Sequence, residues 1–191
     1  GIFGAGIGTA ISAYFAAPLA GAKIVMMEHF EAEAALKLVQ DERISVIGAA
    51  PAILTMMVRH PDFEKYDLSS LRLVESGGAP LPYDDGREIE QRMSCTVVQR
   101  YSSMDAGMGF EGIPEDPLEI RLRYPGRPFA GTEIKLVDGD DREVTPGEVG
   151  RIMLRGPSGS SGYFADPETT RQKWSSDGWY DMGDLGRIDE Q

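Results

Sequence analysis

The stretch LRLVESGGAPLPYDDGREIEQRMSCTVVQ, residues 71–99, decides the fold. Its apolar beginning predicts a strand over Leu71–Glu75, its polar-faced middle predicts a helix over Pro82–Met93, and its end predicts a strand over Thr96–Gln99. Two strands that are joined through a helix run parallel, and the helix packs on the sheet. The stretch therefore predicts a parallel sheet covered by helices.

The residues before this stretch continue the same alternation. Pro51 suits the first turn of a helix, where no backbone N–H is needed. Strands that alternate with helices are typical of an α/β subdomain. We expect strands at residues 23–27 and 44–49, and helices at residues 7–20, 31–42 and 51–60.

After about Gly112 the helical pattern nearly vanishes and turn residues become frequent. One short helix is expected over Pro167–Lys173, with Asp166 as its cap. The remaining predicted elements are strands, among them residues 132–137 and 149–155.

The change from alternating strand and helix patterns to mainly strand patterns predicts two subdomains. The α/β subdomain covers residues 1–118, and a β-rich, barrel-like and mostly antiparallel subdomain covers residues 119–191. Gly1 opens directly into an apolar run and Gln191 stops within a polar turn, so we expect a fragment of a longer chain.

The composition limits the classes of partner. The chain has 191 residues, 31 acidic and 19 basic side chains and a net charge of −12, without a cluster of Lys and Arg. Nucleic acid is therefore a poor candidate partner, and an anionic substrate would need a metal ion or a local cation. The apolar run up to Leu19 is short and broken by glycine, which favours a buried helix over insertion into a membrane.

A single cysteine, Cys95, excludes an internal disulfide. It suits a reducing, cytoplasmic setting. We favour a buried, small apolar side chain at Cys95 over a nucleophile, because no paired base is evident nearby.

The loop after the strand at residues 71–75 is a candidate ligand site. Ser76 suggests a nucleophile elbow, but Val74 stands where that motif has glycine. Gly77, Gly78 and Ala79 have little or no side chain, so a flat ligand could lie against bare backbone at the carboxyl end of a strand. A tight turn without a ligand is the alternative.

A second set of polar side chains follows the next strand. A tyrosine ring can stack on a base, hydroxyls can bind phosphate and a carboxylate can hold Mg²⁺. Together with the glycine loop, these side chains indicate a nucleotide site. They are Tyr101, Ser102, Ser103 and Asp105.

The glycine-rich run at residues 4–8 is the weaker candidate for a nucleotide site. No strand precedes it, and Thr9 stands where a dinucleotide-binding motif needs its third glycine. Close packing of a helix is the favoured interpretation.

The stretch DGWYDMGDLG, residues 177–186, contributes one further candidate. Asp184 follows a glycine near the end of a predicted strand, where a carboxylate can accept hydrogen bonds from both ribose hydroxyls. Asp177 is interpreted as a turn residue with Gly178, Asp181 as a surface residue and Asp189 as part of a solvated turn.

Taken together, these stretches resemble the adenylate-forming superfamily of acyl-CoA synthetases, adenylation domains and luciferases. Residues 76–81 are similar to its adenine-side loop, and residues 99–105 resemble its Tyr-Gly-x-Thr-Glu motif. The barrel segment of the family is similar to residues 125–128, 146–150 and 162–164. Its Gly-Trp-aromatic-x-Thr-Gly-Asp-Leu motif is similar to residues 178–186.

The resemblance implies an ATP-dependent carboxylate–CoA ligase, which forms an acyl-adenylate with Mg²⁺ and then transfers the acyl group to coenzyme A. For the nucleotide, the resemblance implies that Gly78, Ala79 and Pro80 line the adenine and that Tyr101 stacks on it. It also implies that Ser102 contacts the nucleotide and that Asp184 binds the ribose. Asp105 is implied to be catalytic and to bind Mg²⁺, and Gly77 and Ser103 are implied to lie near the acyl group.

The chain departs from the family pattern at five positions. Ser102 replaces a glycine, and Met104 and Met182 replace threonines whose hydroxyls could bind phosphate. Asp105 is one methylene shorter than the family's glutamate, and Arg151 replaces a common glutamate. The departures indicate a divergent subgroup or a weakened enzyme.

Two parts of the family pattern are not found in these residues: the phosphate loop with its lysine, and the mobile C-terminal domain with its catalytic lysine. We therefore expect the 191 residues alone not to turn over. Two alternatives stay open: an adenylation domain that loads a carrier protein, and a non-catalytic nucleotide-binding domain, which the two methionines motivate.

Overall fold

The computed structural model describes residues 2–3 and 17–189. The helices are α1 (Ala17–Leu19), α2 (Ala32–Asp41), α3 (Pro51–Val58), α4 (Tyr83–Met93), α5 (Leu118–Arg123) and α6 (Pro167–Lys173), with a 3₁₀ turn at Phe63–Lys65. The strands are β1 (Ile2–Phe3), β2 (Val25–Met26), β3 (Val46–Ala49), β4 (Leu73–Gly77), β5 (Thr96–Ser103), β6 (Met108–Glu111), β7 (Arg127–Pro128), β8 (Glu133–Val137), β9 (Val149–Arg155) and β10 (Tyr180–Arg187).

The chain forms two compact units. The first unit consists of Gly1–Tyr101 and Glu111–Arg127, and the second consists of Ser102–Phe110 and Pro128–Gln191. The boundary at residues 118 and 119 remains a prediction about the domains of the whole protein.

A parallel sheet forms the centre of the first unit. β3 pairs with β4 in parallel, and β4 pairs with β5 in parallel. Apolar side chains of α2, α3 and α4 pack with those of β4 and β5 in one buried cluster, which explains why these helices need an apolar face. The predicted helix-covered parallel sheet is therefore confirmed. Fully buried members of the cluster include Leu36, Leu54, Val74, Ile89 and Val97.

A three-stranded antiparallel sheet forms the second unit, with β9 between β8 and β10. This confirms the mostly antiparallel second part. The predicted cap of α6 is also confirmed, because the backbone N–H of Thr169 donates to Oδ1 of Asp166 over 3.0 Å. Pro51 occupies the first turn of α3, as predicted.

The helix α5 is a part of the first unit that the sequence pattern did not predict. Its Arg121 is 8% exposed and makes a bidentate ion pair with Glu90 of α4, at 2.6 Å for Nη1–Oε2 and 3.0 Å for Nη2–Oε1. Arg121 also donates to the backbone oxygen of Val97, and the backbone N–H of Val97 donates to Glu90. Arg121 and Glu90 therefore connect α5 and α4 to β5 through a satisfied polar network.

The remaining differences lie at element ends. The predicted strand at residues 23–27 is only two residues long, and β5 extends past the predicted Gln99 to Ser103. In addition, β6 lies in a stretch for which the sequence predicted no element. Residues 4–16, with the glycine-rich run and most of the predicted helix at residues 7–20, lie outside the described residues.

Cys95 is buried, as predicted, at 8% exposure. Burial, with a smaller contribution from the charge of Glu90, raises the pKa of its thiol to about 12. The thiolate form needed for nucleophilic attack is therefore disfavoured at neutral pH.

Among the described residues, no helix combines the length and apolar character that crossing a bilayer requires.

Candidate functional site

The first unit presents two of the predicted nucleotide segments at the ends of neighbouring strands. Gly77, the last residue of β4, is paired with Arg100 of β5, and the half-buried Tyr101 follows directly. Residues 78–80 are exposed beyond Gly77. Because β4 and β5 are parallel, this loop and Tyr101 lie at the same edge of the sheet, which is where such sheets bind ligands.

Gly77 and Gly78 are glycines for different physical reasons. A Cβ at Gly77 would lie 3.1 Å from the backbone oxygen of Arg100, so the strand neighbour explains this glycine. Gly78 has φ +82°, in the left-handed region, and a Cβ there would meet nothing within 4 Å in the described part of the chain. The backbone at Gly78 is thus open enough for a flat ring. The acyl contact of Gly77 remains a prediction.

Ser76 does not present a nucleophile. The residue is only 2% exposed, although it precedes the open loop. An elbow nucleophile has to be accessible at the top of the sheet. The burial of Ser76 therefore agrees with the rejection of that motif on sequence grounds.

The second unit begins with the other half of the predicted polar set, residues 102–105. Ser102 is exposed, and the hydroxyl of Ser103 donates to the phenol oxygen of Tyr180 over 3.2 Å. The backbone N–H of Ala106 donates to the oxygen of Ser103 over 3.3 Å. The Ser103 hydroxyl thus stabilises its own turn, and its place near an acyl group remains a prediction.

Asp105 is held by a segment that lies more than fifty residues further along the chain. The Tyr163 hydroxyl donates to Oδ2 of Asp105 over 2.6 Å. Ser160 donates its hydroxyl to the backbone oxygen of Asp105, and its backbone N–H to the oxygen of Ala106. The hydrogen bond to Asp105, together with burial and the negative charge of Asp105, raises the pKa of Tyr163 to about 12. Tyr163 therefore remains a proton donor at neutral pH.

Three aromatic rings support this arrangement. The rings of Tyr163 and Trp174 meet edge to face with centroids 5.3 Å apart, and the rings of Trp174 and Tyr180 lie 4.6 Å apart. Tyr163 contacts Asp105 and Tyr180 contacts Ser103. The cluster thus fixes the hydroxyls of Tyr163 and Tyr180 where they contact the turn at residues 103–106.

Asp184 lies in a bulge of β10. Asp181 pairs with Met153 of β9 and Leu185 pairs with Arg151, so residues 182–184 oppose a single residue of β9. Gly183 has φ +80°, and the Nζ atom of Lys173 lies 3.5 Å from the point where its Cβ would be. The bulge exposes Asp184 and places a cation beside the adjoining backbone.

The residues of the second unit fit a magnesium ion that is shared with a nucleotide. Asp105 is exposed and offers a hard oxygen ligand, and its hydrogen bond from Tyr163 occupies Oδ2. Over residues 2–3 and 17–189, no three carboxylate, imidazole or thiol groups gather into a metal site of their own. Mg²⁺ is commonly held by one or two carboxylates plus substrate phosphates, which matches this donor set.

Each unit thus gathers part of the predicted set. The first unit gathers residues 77–80 and Tyr101, and the second contains residues 102–105 and Asp184. The sequence analysis did not assign three further residues to the candidate site. They are a tyrosine, a lysine and an arginine far along the chain, and their spacing gives no sign that they lie near Asp105 or Asp184. They are Tyr163, Lys173 and Arg151.

Asp181 corrects one interpretation. We expected a surface residue, but its side chain is 19% exposed and accepts hydrogen bonds from the Arg151 guanidinium and, over 2.8 Å, from the backbone N–H of Gly183. Asp177 holds the turn before Gly178, as predicted, and accepts from the Ser175 hydroxyl over 2.6 Å.

These features agree with the comparison with known proteins. The sequence matches the family described as "AMP-binding enzyme" over residues 7–164, and the chain belongs to this adenylate-forming family. It is 31% identical to 4-coumarate-CoA ligase 1 of Narcissus pseudonarcissus over 180 residues, which is 90% of this chain and 32% of that protein.

Two further similarities broaden the comparison. The pyochelin synthase PchD of Pseudomonas aeruginosa is 33% identical over 87% of this chain and 30% of its own length. The amide bond synthetase McbA from Marinactinospora thermotolerans superimposes with a TM-score of 0.80 at 34% identity, over 88% of this chain and 34% of McbA. The chain therefore spans about a third of each of these three relatives.

Proposed function

We propose that the whole protein is an ATP-dependent carboxylate–CoA ligase. The observation that carries the proposal is the open, exposed backbone at Gly78 beside Tyr101 at one sheet edge, where a base can lie flat. Family membership adds the adenylate chemistry. The name of the similar 4-coumarate-CoA ligase supports coenzyme A as the acceptor.

The proposed reaction has two steps. A carboxylate oxygen attacks the α-phosphorus of ATP, the bond from that phosphorus to the pyrophosphate oxygen breaks, and an acyl-adenylate forms. The thiol sulfur of coenzyme A then attacks the acyl carbon, the bond to the AMP oxygen breaks, and the thiol proton is released. Both steps depend on alignment and charge compensation more than on a general base.

Each predicted residue has a defined part in this proposal. Tyr101 and the loop at residues 78–80 hold the adenine, and Ser102 contacts the nucleotide. Asp184 accepts hydrogen bonds from the ribose hydroxyls. Asp105 holds Mg²⁺, which when bound offsets the charge of the phosphates. Gly77 and Ser103 lie near the acyl group.

The proposed contact of Asp184 with the ribose hydroxyls can be tested with a nucleotide that lacks those hydroxyls. Asp184→Ala is expected to weaken AMP binding by the whole protein by about 10- to 100-fold, because charged hydrogen bonds contribute about 1.5–3 kcal/mol. The same change should leave the affinity for 2′,3′-dideoxy-AMP within about twofold, since that analogue lacks the hydroxyls. Isothermal titration calorimetry gives both affinities.

Asp140→Ala serves as the matched control, because Asp140 is an exposed turn carboxylate of the same unit. It should leave both affinities unchanged. Equal losses for AMP and the dideoxy analogue in Asp184→Ala would show that Asp184 does not read the ribose.

A second function differs only in the acyl acceptor. McbA is named an amide bond synthetase and PchD a pyochelin synthase, and both resemble this chain as closely as the CoA ligase does. An amine or a carrier-protein thiol would replace coenzyme A in the second step. Formation of acyl-CoA from a preformed acyl-adenylate supports the ligase, and formation only of an amide or a carrier thioester supports the alternative.

A further inference from the structure

The residue pair Arg151–Asp181 lies at the base of the bulge that carries Asp184. Arg151 belongs to the central strand β9, and its guanidinium donates to Oδ2 of Asp181 on β10 and to Oδ1 of Asp141. Asp181 is the last residue of β10 in regular register before the bulge. Its side chain is the less exposed of the two carboxylates, at 19% against 79% for Asp141.

Both carboxylate oxygens of Asp181 are engaged. Oδ2 accepts from Arg151, and Oδ1 accepts from the backbone N–H of Gly183 over 2.8 Å. The second bond closes a short turn inside the bulge, immediately before Asp184. Arg151 therefore fixes Asp181, and Asp181 in turn fixes the backbone of Gly183.

The backbone of the bulge is irregular and therefore benefits from the restraint that Asp181 provides. Its three residues oppose a single residue of β9, so the regular ladder of backbone hydrogen bonds is interrupted there. Gly183, with φ +80°, adds conformational freedom. A ligand-binding carboxylate works best when neighbouring groups lock its geometry.

We propose that Arg151 and Asp181 are positioning residues that set the bulge at residues 182–184 for ribose binding. The proposal rests on the proposed function of Asp184 as the ribose ligand. It also accounts for the arginine at position 151, where the family commonly has glutamate: the positive charge at 151 matches the negative charge at 181.

Substitution of Asp181 in the whole protein tests the proposal. Asp181→Ala removes both bonds and should weaken AMP binding about tenfold, the effect of losing about 1.4 kcal/mol of ordering. The affinity for 2′,3′-dideoxy-AMP should stay within about twofold. In kinetic assays the KM for ATP should rise, and the KM for the carboxylic acid should not change.

Hydrogen exchange adds a readout that does not depend on activity. The Gly183 amide should exchange at least about tenfold faster in Asp181→Ala, because its acceptor is lost. Asp181→Asn keeps an acceptor for that amide and loses the charge. It should restore protection of Gly183 and part of the AMP affinity.

The charge pairing has its own test. Arg151→Glu should reproduce the loss in Asp181→Ala, and the double change Arg151→Glu with Asp181→Arg should recover no protection of Gly183, because arginine cannot accept its N–H. The control is Glu133→Ala, which breaks the ion pair of Glu133 with Arg155 on the same strand β9. It should leave Gly183 exchange and AMP affinity unchanged.

Three results would overturn the proposal in distinguishable ways. If Asp184→Ala reduces AMP affinity and Asp181→Ala does not, the ribose role stands and the positioning role is wrong. If Asp184→Ala also leaves AMP affinity unchanged, the ribose role itself fails and the positioning role fails with it. Equal loss of AMP and dideoxy-AMP affinity in Asp181→Ala would indicate general damage to the fold and would also overturn it.

Discussion

Arg121→Met is expected to lower the free energy of unfolding by about 3 kcal/mol, because it leaves the carboxylate of Glu90 partly buried without its cation. Arg121 supplies both bonds of the bidentate pair and a third bond to the backbone oxygen of Val97. The side chain of Glu90 is 22% exposed, which keeps the expected loss at the lower end of the range for buried pairs. Urea unfolding monitored by tryptophan fluorescence and circular dichroism measures the loss.

The loss of stability in Arg121→Met should also depend on pH, in a direction set by the pKa of Glu90. Burial tends to raise the pKa of Glu90, but hydrogen bonds from Arg121 and from the backbone of Val97 outweigh it and hold the pKa below its ordinary 4.5. A carboxylate with a lowered pKa contributes stability above its unfolded pKa and loses it as the pH falls through the folded pKa. The stability difference between the parent protein and Arg121→Met should therefore narrow below about pH 4.5.

Two controls sharpen the result. Arg123→Met removes an exposed arginine of the same helix, paired with Glu119, and should cost only a small fraction of the Arg121 effect. Glu90→Leu combined with Arg121→Met leaves no unpaired charge and should recover much of the loss. A cost for Arg121→Met that equals the cost for Arg123→Met would contradict the structural role of the network.

Asp105→Asn is expected to reduce Mg²⁺-dependent ATP–pyrophosphate exchange by the whole protein by about 10²- to 10³-fold, since a metal ion contributes several kcal/mol of charge stabilisation. Asparagine has nearly the same shape and can still accept the hydrogen bond from Tyr163. The loss therefore reports the negative charge at the proposed metal ligand. Binding of AMP without metal should remain within about twofold.

Tyr163→Phe separates the charge of Asp105 from its orientation. This change keeps the ring contact with Trp174 and removes the bond of 2.6 Å to Asp105. A loss of about tenfold in the affinity for Mn²⁺ in the presence of ATP, measured by electron paramagnetic resonance, is expected, as for other groups that orient metal ligands. An unchanged Mn²⁺ affinity in Asp105→Asn would remove Asp105 from the metal site.

The fold class was predictable because periodicity is a local property. Strand and helix patterns over residues 71–99 depend on burial that repeats every two residues or every three to four residues. The cap at Asp166 and the proline at Pro51 were predictable for the same reason, because each acts within one turn of its own helix.

Other features depend on contacts that no local pattern records. Arg121 is a charged residue just beyond the predicted subdomain boundary, where no helix was expected, and only its pairing with Glu90 of α4 explains its burial. Asp181 was interpreted as a surface residue because its partner Arg151 lies thirty residues earlier, on a neighbouring strand.

The candidate site likewise combines residues that local motifs predict with residues that only long-range contacts bring together. The motifs singled out residues 77–80, 101–105 and Asp184, because chemistry restricts the residue types that can serve there. Tyr163 is placed by its ring contact with Trp174 and its bond to Asp105, and Lys173 by the proximity of α6 to Gly183 of β10, none of which spacing alone gives.

The most direct measurement is ATP–pyrophosphate exchange by the whole protein over a panel of aliphatic and aromatic carboxylates. We expect exchange that depends on one class of carboxylic acid and that is strongly reduced in Asp184→Ala. No exchange with any acid, from a folded protein that still binds AMP, would contradict it. That result would favour the non-catalytic nucleotide-binding domain, with Met104 and Met182 as the first positions to change.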